Sequence, residues 1–109
     1  MNMWNKKLKI YDDLIEKCPR FERKGKTMPY TSANGYMFSA LNKAGEIGIR
    51  FSKATQEAYI KKYNTTIFKS YNSVMKGYIL ITDEMLEDLN TVAVLLNESF
   101  DYVMNLEPK

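Results

Sequence analysis

The sequence predicts an α+β domain: a mainly antiparallel sheet of four or five strands with helices packed on it, in the order α-βββ-α-(β)β-α. Three observations carry that expectation. Residues 28–51 read as three short strands joined by two tight turns; residues 3–18 repeat apolar side chains at helical spacing; and a strand pattern over 74–81 passes straight into a long amphipathic stretch. Few of these connections call for a parallel crossover, so antiparallel pairing is the economical arrangement.

The elements follow in order. Trp4, Leu8, Tyr11, Ile15 and Cys18 recur at steps of four, three, four and three, which is one stripe of a helix that Pro19 stops. A polar link turning at Gly25 leads into strands near 27–32, 36–42 and 46–51. Asn34-Gly35 has the composition of a type I′ turn, whose two central residues both need positive φ. Ala44-Gly45 supplies a second reversal. Ile47, Ile49 and Phe51 then alternate with Gly48 and Arg50 in a half-buried strand pattern.

Ser52 is placed to cap a second helix running to about Tyr63. Its apolar face is weak, with Ala54 and Ala58 in register and Tyr59 four residues from Tyr63, so it is expected on the surface of the sheet. Residues 65–73 read equally as a short strand or a loop. Over 74–81, Met75, Ile79 and Ile81 fall on one face and Val74, Tyr78 and Leu80 on the other, predicting a strand covered on both sides. Thr82 is placed to cap the longest helix, with Asp83, Glu84 and Glu87 in its first turn where the dipole favours anions. Met85, Leu89, Val92, Leu96 and Val103 form its stripe, flanked by Phe100 and Leu106. Residues 92–96 are apolar almost all round, which suggests cover on more than one side.

At 109 residues the chain has the size of a single domain, 1–109, with no repeat or linker dividing it. No apolar run reaches the roughly 20 residues of a membrane span, and the N-terminal lysines precede no apolar stretch of a secretory signal. A lone cysteine makes no internal disulfide, so a cytoplasmic setting is expected. The net charge of +3 is uneven: residues 1–50 carry +5 and residues 51–109 carry −2. Residues 17–26 hold five basic side chains and one acid, a segment suited to nucleic acid or an acidic surface, or simply to solvent.

Catalysis finds few groups to work with. Without histidine there is no Cys–His pair, no Ser–His–Asp triad and no zinc site of the usual kinds. The acid pairs Asp12-Asp13, Asp83-Glu84 and Glu87-Asp88 lie in polar surroundings, where paired acid–base carboxylates need contrasting ones. Gly45 and Gly48 do not open a helix and lack the Lys-Ser/Thr of a phosphate loop. Lysine chemistry at Lys26 or Lys76 has no recognisable partner group. The chain therefore reads as no enzyme, and it implies no metal and no cofactor.

Binding groups are easier to name. Arg50 projects from the face opposite the apolar positions of its strand, beside Gly48, whose lack of a side chain leaves room for a ligand or for one of the chain's own rings. Its partner is either an internal ion pair or stacked tyrosine, or an external anion. Tyr59, Lys61, Lys62, Tyr63, Lys69, Tyr71, Lys76 and Tyr78 interleave rings and ammonium groups as a single-strand nucleic-acid platform would, although they span a helix, a loop and a strand. Arg20, Arg23 and Lys24 are the basic residues such binding would use. Cys18 reads as a small buried hydrophobe, with a reactive thiol as the alternative.

The segment KGKTMPYTSANGYMFSALNKAGEIGIRF, followed by a helix ending KKYN and then YNSVMKGYILITDEML, resembles the N-terminal domain of the TfoX/Sxy family of competence regulators, in particular its small stand-alone members. Met28-Pro29-Tyr30 sits where that family has Met-Phe-Gly. Gly35 and Gly45 fit its turns, Ile49-Arg50 its apolar-basic pair, and Tyr78 with Thr82-Asp83-Glu84 its strand-to-helix passage. The likeness covers residues 20–106. It implies a domain without known catalysis, in proteins tied to transcriptional control of DNA uptake that work through other proteins. The expected function is thus a regulatory binding domain contacting a protein partner or a second copy of itself, with Lys26, Tyr30, Arg50, Lys76 and Tyr78 as contact residues. Direct nucleic-acid binding, and a small anionic ligand or cryptic reaction at Lys26, Arg50 and Lys76, are the alternatives.

Overall fold

The computed structural model describes residues 2–70 and 72–109; Tyr71, one of the interleaved tyrosines, lies outside the described residues. Along the chain run α1 (Met3–Glu16), β1 (Tyr30–Ala33), β2 (Tyr36–Leu41), β3 (Ile47–Arg50), α2 (Lys53–Lys62), β4 (Ile67–Ser70), β5 (Ser73–Ile81), α3 (Asp83–Leu86) and α4 (Leu89–Met104). The strands form one five-stranded sheet in the order β1-β2-β3-β5-β4, with every neighbouring pair antiparallel. The α+β class and the order of elements are those the sequence predicts.

Local chemistry sets the two hairpins of the meander. Asn34 and Gly35 have φ of 57° and 85°, as a type I′ turn requires, and Ala33 pairs directly with Tyr36. In the second hairpin the Gly45 amide donates to the Asn42 carbonyl at 3.1 Å, while the Asn42 side chain accepts from the Glu46 amide at 2.8 Å. The chain enters β1 later than expected, at Tyr30, because residues 26–28 bend.

Helices cover one face of the sheet. Tyr11, Leu14 and Ile15 of α1 and Val92, Leu95, Leu96 and Val103 of α4 are buried against Phe38, Leu41, Ile47, Ile49, Ile79 and Ile81. A bulge tunes this core: Thr31 stands opposite Ser39 and Ser32 opposite Met37, so Phe38 is an extra residue. Phe38 and Ser39 consequently both reach the helices. The Phe38 ring packs edge-on to Phe21 and Phe100, with centroids 5.0 and 5.9 Å away. The Ser39 hydroxyl lies 2.6 Å from that of Tyr11 and 2.5 Å from that of Thr31, so three fully buried hydroxyls satisfy one another.

The second face closes by curvature. Asn42, just past β2, donates to the Lys69 carbonyl of β4 at 2.8 Å, although β3 and β5 lie between those strands. Strands three places apart in a flat sheet are about 14 Å apart. The β4–β5 hairpin therefore curls back over the sheet, bringing Phe68 onto Gly48 and closing a small cluster of Ala40, Phe68 and Tyr78. The space beside Gly48 is thus filled by one of the chain's own rings.

Two expectations need correction. The helix beginning at Thr82 is two helices: Thr82 caps α3, but the Asp88 side chain accepts from the Thr91 amide at 3.2 Å and from its hydroxyl at 2.7 Å, opening α4. Residues 92–96 are covered on more than one side, as expected, since α4 packs on α1, on α3 and on the sheet; Val94 faces outward, 66% exposed. In β5, Met75 packs with Tyr78 and not with Ile79, because the strand breaks its alternation at Gly77, whose φ is 87°. Among the described residues no helix is long and apolar enough to cross a membrane.

Candidate functional site

Where β3 ends, three elements meet. Arg50, the last residue of β3, pairs with Tyr78 of β5, and the Phe51 amide donates to the Gly77 carbonyl at 2.9 Å. That bond and the positive φ of Gly77 lay the Lys76–Gly77 backbone along the Arg50 side chain: a Cβ built on Gly77 would lie 3.4 Å from Arg50 Cγ and 2.9 Å from the Phe51 carbonyl oxygen. Only glycine accommodates both the dihedral and the approach. Ser52 then caps α2 by accepting from the Thr55 amide, and Gln56 Nε2 donates to the Tyr78 carbonyl at 2.9 Å, fixing the first turns of α2 beside β5.

The result is a cleft of about 410 Å³ whose polar lining is Arg50, Lys53, Gln56, Lys76 and Tyr102, with Gly77 in its wall. Among the described residues it carries three cations and no acid. The Arg50 guanidinium lies over two rings, 5.4 Å from the centre of Tyr36 and 5.7 Å from that of Tyr102. Tyr36 is itself held, its hydroxyl donating to the Glu107 carbonyl at 2.6 Å. The rings position the fork without using its N–H donors. Arg50, Lys53 and Lys76 make no ion pair with a described carboxylate.

Arg20, Arg23 and Lys24 are engaged within the chain. Arg20 pairs with Asp101 at 2.7 Å, donates to Asn97 at 3.1 Å and lies over Phe100; the bond from Arg20 also holds the Asp101 carboxyl below the usual carboxylate range. Arg23 grips Asp12 with two donors, at 2.9 and 3.3 Å, and donates to the Gly25 carbonyl. Lys24 donates to the Ser32 hydroxyl at 3.0 Å. The 17–26 segment thus spends its two arginines on the chain's own acids.

Of the remaining contact candidates, Lys26 is exposed in the bend before β1, away from the cleft, and Tyr30 packs on the second sheet face near Met37. Tyr78 is 4% exposed, stacks on Phe68 and donates to the Met37 carbonyl at 2.8 Å; burial pushes its pKa up. The structure therefore unites Arg50 and Lys76 in the cleft, sets Tyr78 opposite Arg50 but buried outside the cleft lining, and leaves Lys26 and Tyr30 elsewhere. Sequence reasoning missed Lys53, Gln56 and Tyr102, which arrive by tertiary packing. Gly77 did leave a signal, as a glycine inside a strand pattern marks a bulge or a close approach.

Cys18 lies 2% exposed, with its thiol toward the Leu14 carbonyl at 3.6 Å and the Asn97 amide donating to it at 3.5 Å; burial pushes the thiol pKa up. That is the environment of a packed thiol. A second depression, of about 340 Å³, lies between the end of α2 and α3–α4 and mixes Lys62 with Glu84 and Asp88. Among the described residues no group of three or more histidine, cysteine or acidic side chains is placed to hold a metal ion.

The fold and the cleft define an α+β domain that presents unpaired cations at one end of its sheet. No family model matches the chain, and neither a curated protein nor a solved structure matches it at a significant level.

Proposed function

We propose that this chain is a non-enzymatic binding domain that acts by contact with a protein partner, through an acidic group seated in the Arg50–Lys76 cleft. One observation carries the reading. Arg50 is oriented by two aromatic rings yet has no carboxylate, while Arg20 and Arg23 are each satisfied within the chain. An oriented, unpaired guanidinium beside two further cations offers a partner's acid charge-assisted bonds with little ordering left to do. The TfoX/Sxy resemblance supplies the setting: a small domain serving transcriptional control of DNA uptake through other proteins.

The test is affinity capture from cells of the source with the native chain and with an Arg50→Ala, Lys76→Ala double variant whose folding has been checked by circular dichroism. A partner retained by the native chain and lost by the variant is the expected result. The same partners on both would remove the cleft from the interface, and none on either would remove the reading.

A further inference from the structure

The chemistry of the cleft narrows what the partner brings to it. Resting on the reading of this cleft as the contact site, we propose that it takes a phosphate monoester rather than a carboxylate. Among the described residues its polar lining holds Arg50, Lys53 and Lys76 and no acid, a local formal charge of three positives from three different elements. A single carboxylate has one charge, and a bidentate Arg50 fork takes one lone pair on each of its two oxygens. Its one negative charge offsets only one of the three positive charges of the lining. A phosphate monoester carries about −1.5 to −2 charges at pH 7 and three acceptor oxygens. One such group can receive Arg50 and both ammonium groups.

The surroundings agree with that geometry. The Arg50 side chain is fixed over Tyr36 and Tyr102 and beside Gly77, so its donors have a set direction. Lys53 and Lys76 are exposed and free to swing onto an anion, since no described acid holds either. One N–H of the Gln56 amide is committed to the Tyr78 carbonyl, and its other polar atoms, Tyr102 and the three cations make the polar rim. A volume of about 410 Å³ exceeds a phosphate's needs and leaves room for the atoms that carry it. The same phosphate chemistry can come from a phosphorylated side chain or from a small phosphate ester.

The experiment follows the backbone amide of Gly77 by NMR in the isotope-labelled full chain. It is titrated separately with a peptide of uncharged residues bearing one phosphoserine, with the same peptide bearing glutamate, with glucose 6-phosphate and with inorganic phosphate. The phosphoserine peptide is expected to shift the Gly77 amide and to bind at least about tenfold more tightly than the glutamate peptide. Lys53→Ala and Lys76→Ala, both at exposed positions, should each weaken it about three- to tenfold. Glucose 6-phosphate matching the phosphopeptide would keep the phosphate assignment and make the source a small ester; a clear preference for the peptide would make it a phosphorylated protein.

Equal binding of the glutamate and phosphoserine peptides through the cleft would overturn the phosphate assignment while leaving the partner reading intact. So would an unmoved Gly77 amide in every titration if cellular partners are still lost from the double variant. An unmoved amide with unchanged cellular partners would end both.

Discussion

The ring of Phe68 occupies the space directly above Gly48, so that a methyl group built on this glycine would overlap the ring. Phe68 is 1% exposed and reaches Gly48 across β5 because the β4–β5 hairpin curls over the sheet. Gly48→Ala must therefore push the hairpin away or force the ring out of place, at a cost of about 1–3 kcal/mol. Urea unfolding measures it. In a Phe68→Ala background the same substitution should cost much less, since the two residues share one volume and their effects cannot add. Equal costs in both backgrounds would contradict the packing described.

Asp88 divides the last helical region, and its contribution is tied to its charge. The Thr91 hydroxyl and amide donate to it, and these bonds hold its pKa below the usual carboxylate range, the hydroxyl contributing most. A carboxyl depressed on folding stabilises the fold above its unfolded pKa of about 3.9, and that contribution is lost as pH falls through the lower folded value. Asp88→Ala should thus lower Tm at neutral pH, with the gap to the native chain narrowing at about pH 2. Asp88→Asn, an equally good cap without the charge, should keep most of the stability at both pH values. A gap between the native chain and Asp88→Ala that is independent of pH would remove the carboxylate from the account.

Alkaline titration probes three tyrosines. Tyr59 donates to Glu98 at 2.7 Å, and that bond, with some burial, moves its pKa up to about 12. Burial raises Tyr11 and Tyr78 as well. A raised phenol pKa contributes stability that is whole below the unfolded value of about 10 and disappears as pH climbs through the folded value. The expected phenolate absorbance curve has a late stage that coincides with loss of circular dichroism. Tyr59→Phe should remove amplitude from that stage. Phenolate absorbance that reaches its plateau while the circular dichroism is still that of the folded chain would sink the assignment.

How far the sequence reached depended on the range of the interaction. The Asn34-Gly35 turn, the Ser52 and Thr82 caps and the alternation of Ile47, Ile49 and Phe51 are local, and each was legible from neighbouring residues. Asp88 was just as local a cap, but it sat inside an apolar periodicity that runs unbroken through 85–103, and the periodicity masked it. The Phe38 bulge is set by long-range packing on Phe21 and Phe100, for which a six-residue strand gives no sign. At the cleft, Arg50 stood out because it interrupts an apolar pattern. Lys53 and Tyr102 became its neighbours only when α2 and α4 docked, 49 residues apart in the chain. Arg20 and Arg23 read as a free basic segment because their acids come from outside it, Asp101 from α4 and Asp12 from α1, which the chain folds back to meet.

Gly77 joins the stability of the fold to the shape of the cleft, and two substitutions separate its roles. With φ at 87°, any L side chain is strained there, and a Cβ would approach the Phe51 carbonyl oxygen to 2.9 Å. Asparagine tolerates the left-handed dihedral better than alanine does, yet it brings the same Cβ. If the dihedral dominates, Gly77→Asn should be clearly more stable than Gly77→Ala; if the carbonyl contact dominates, the two should be equally destabilised. Backbone strain of this kind costs about 1–3 kcal/mol. The contact is with backbone that cannot rotate away, whereas the strain can relax over the rest of β5, so near-equal urea midpoints are expected. Both variants, measured where they remain folded, should also lose partner retention beyond Lys76→Ala, because displacing this backbone moves Arg50 and Lys76 together. Full retention in a folded Gly77→Ala would mean that the cleft does not depend on the bulge that shapes its wall.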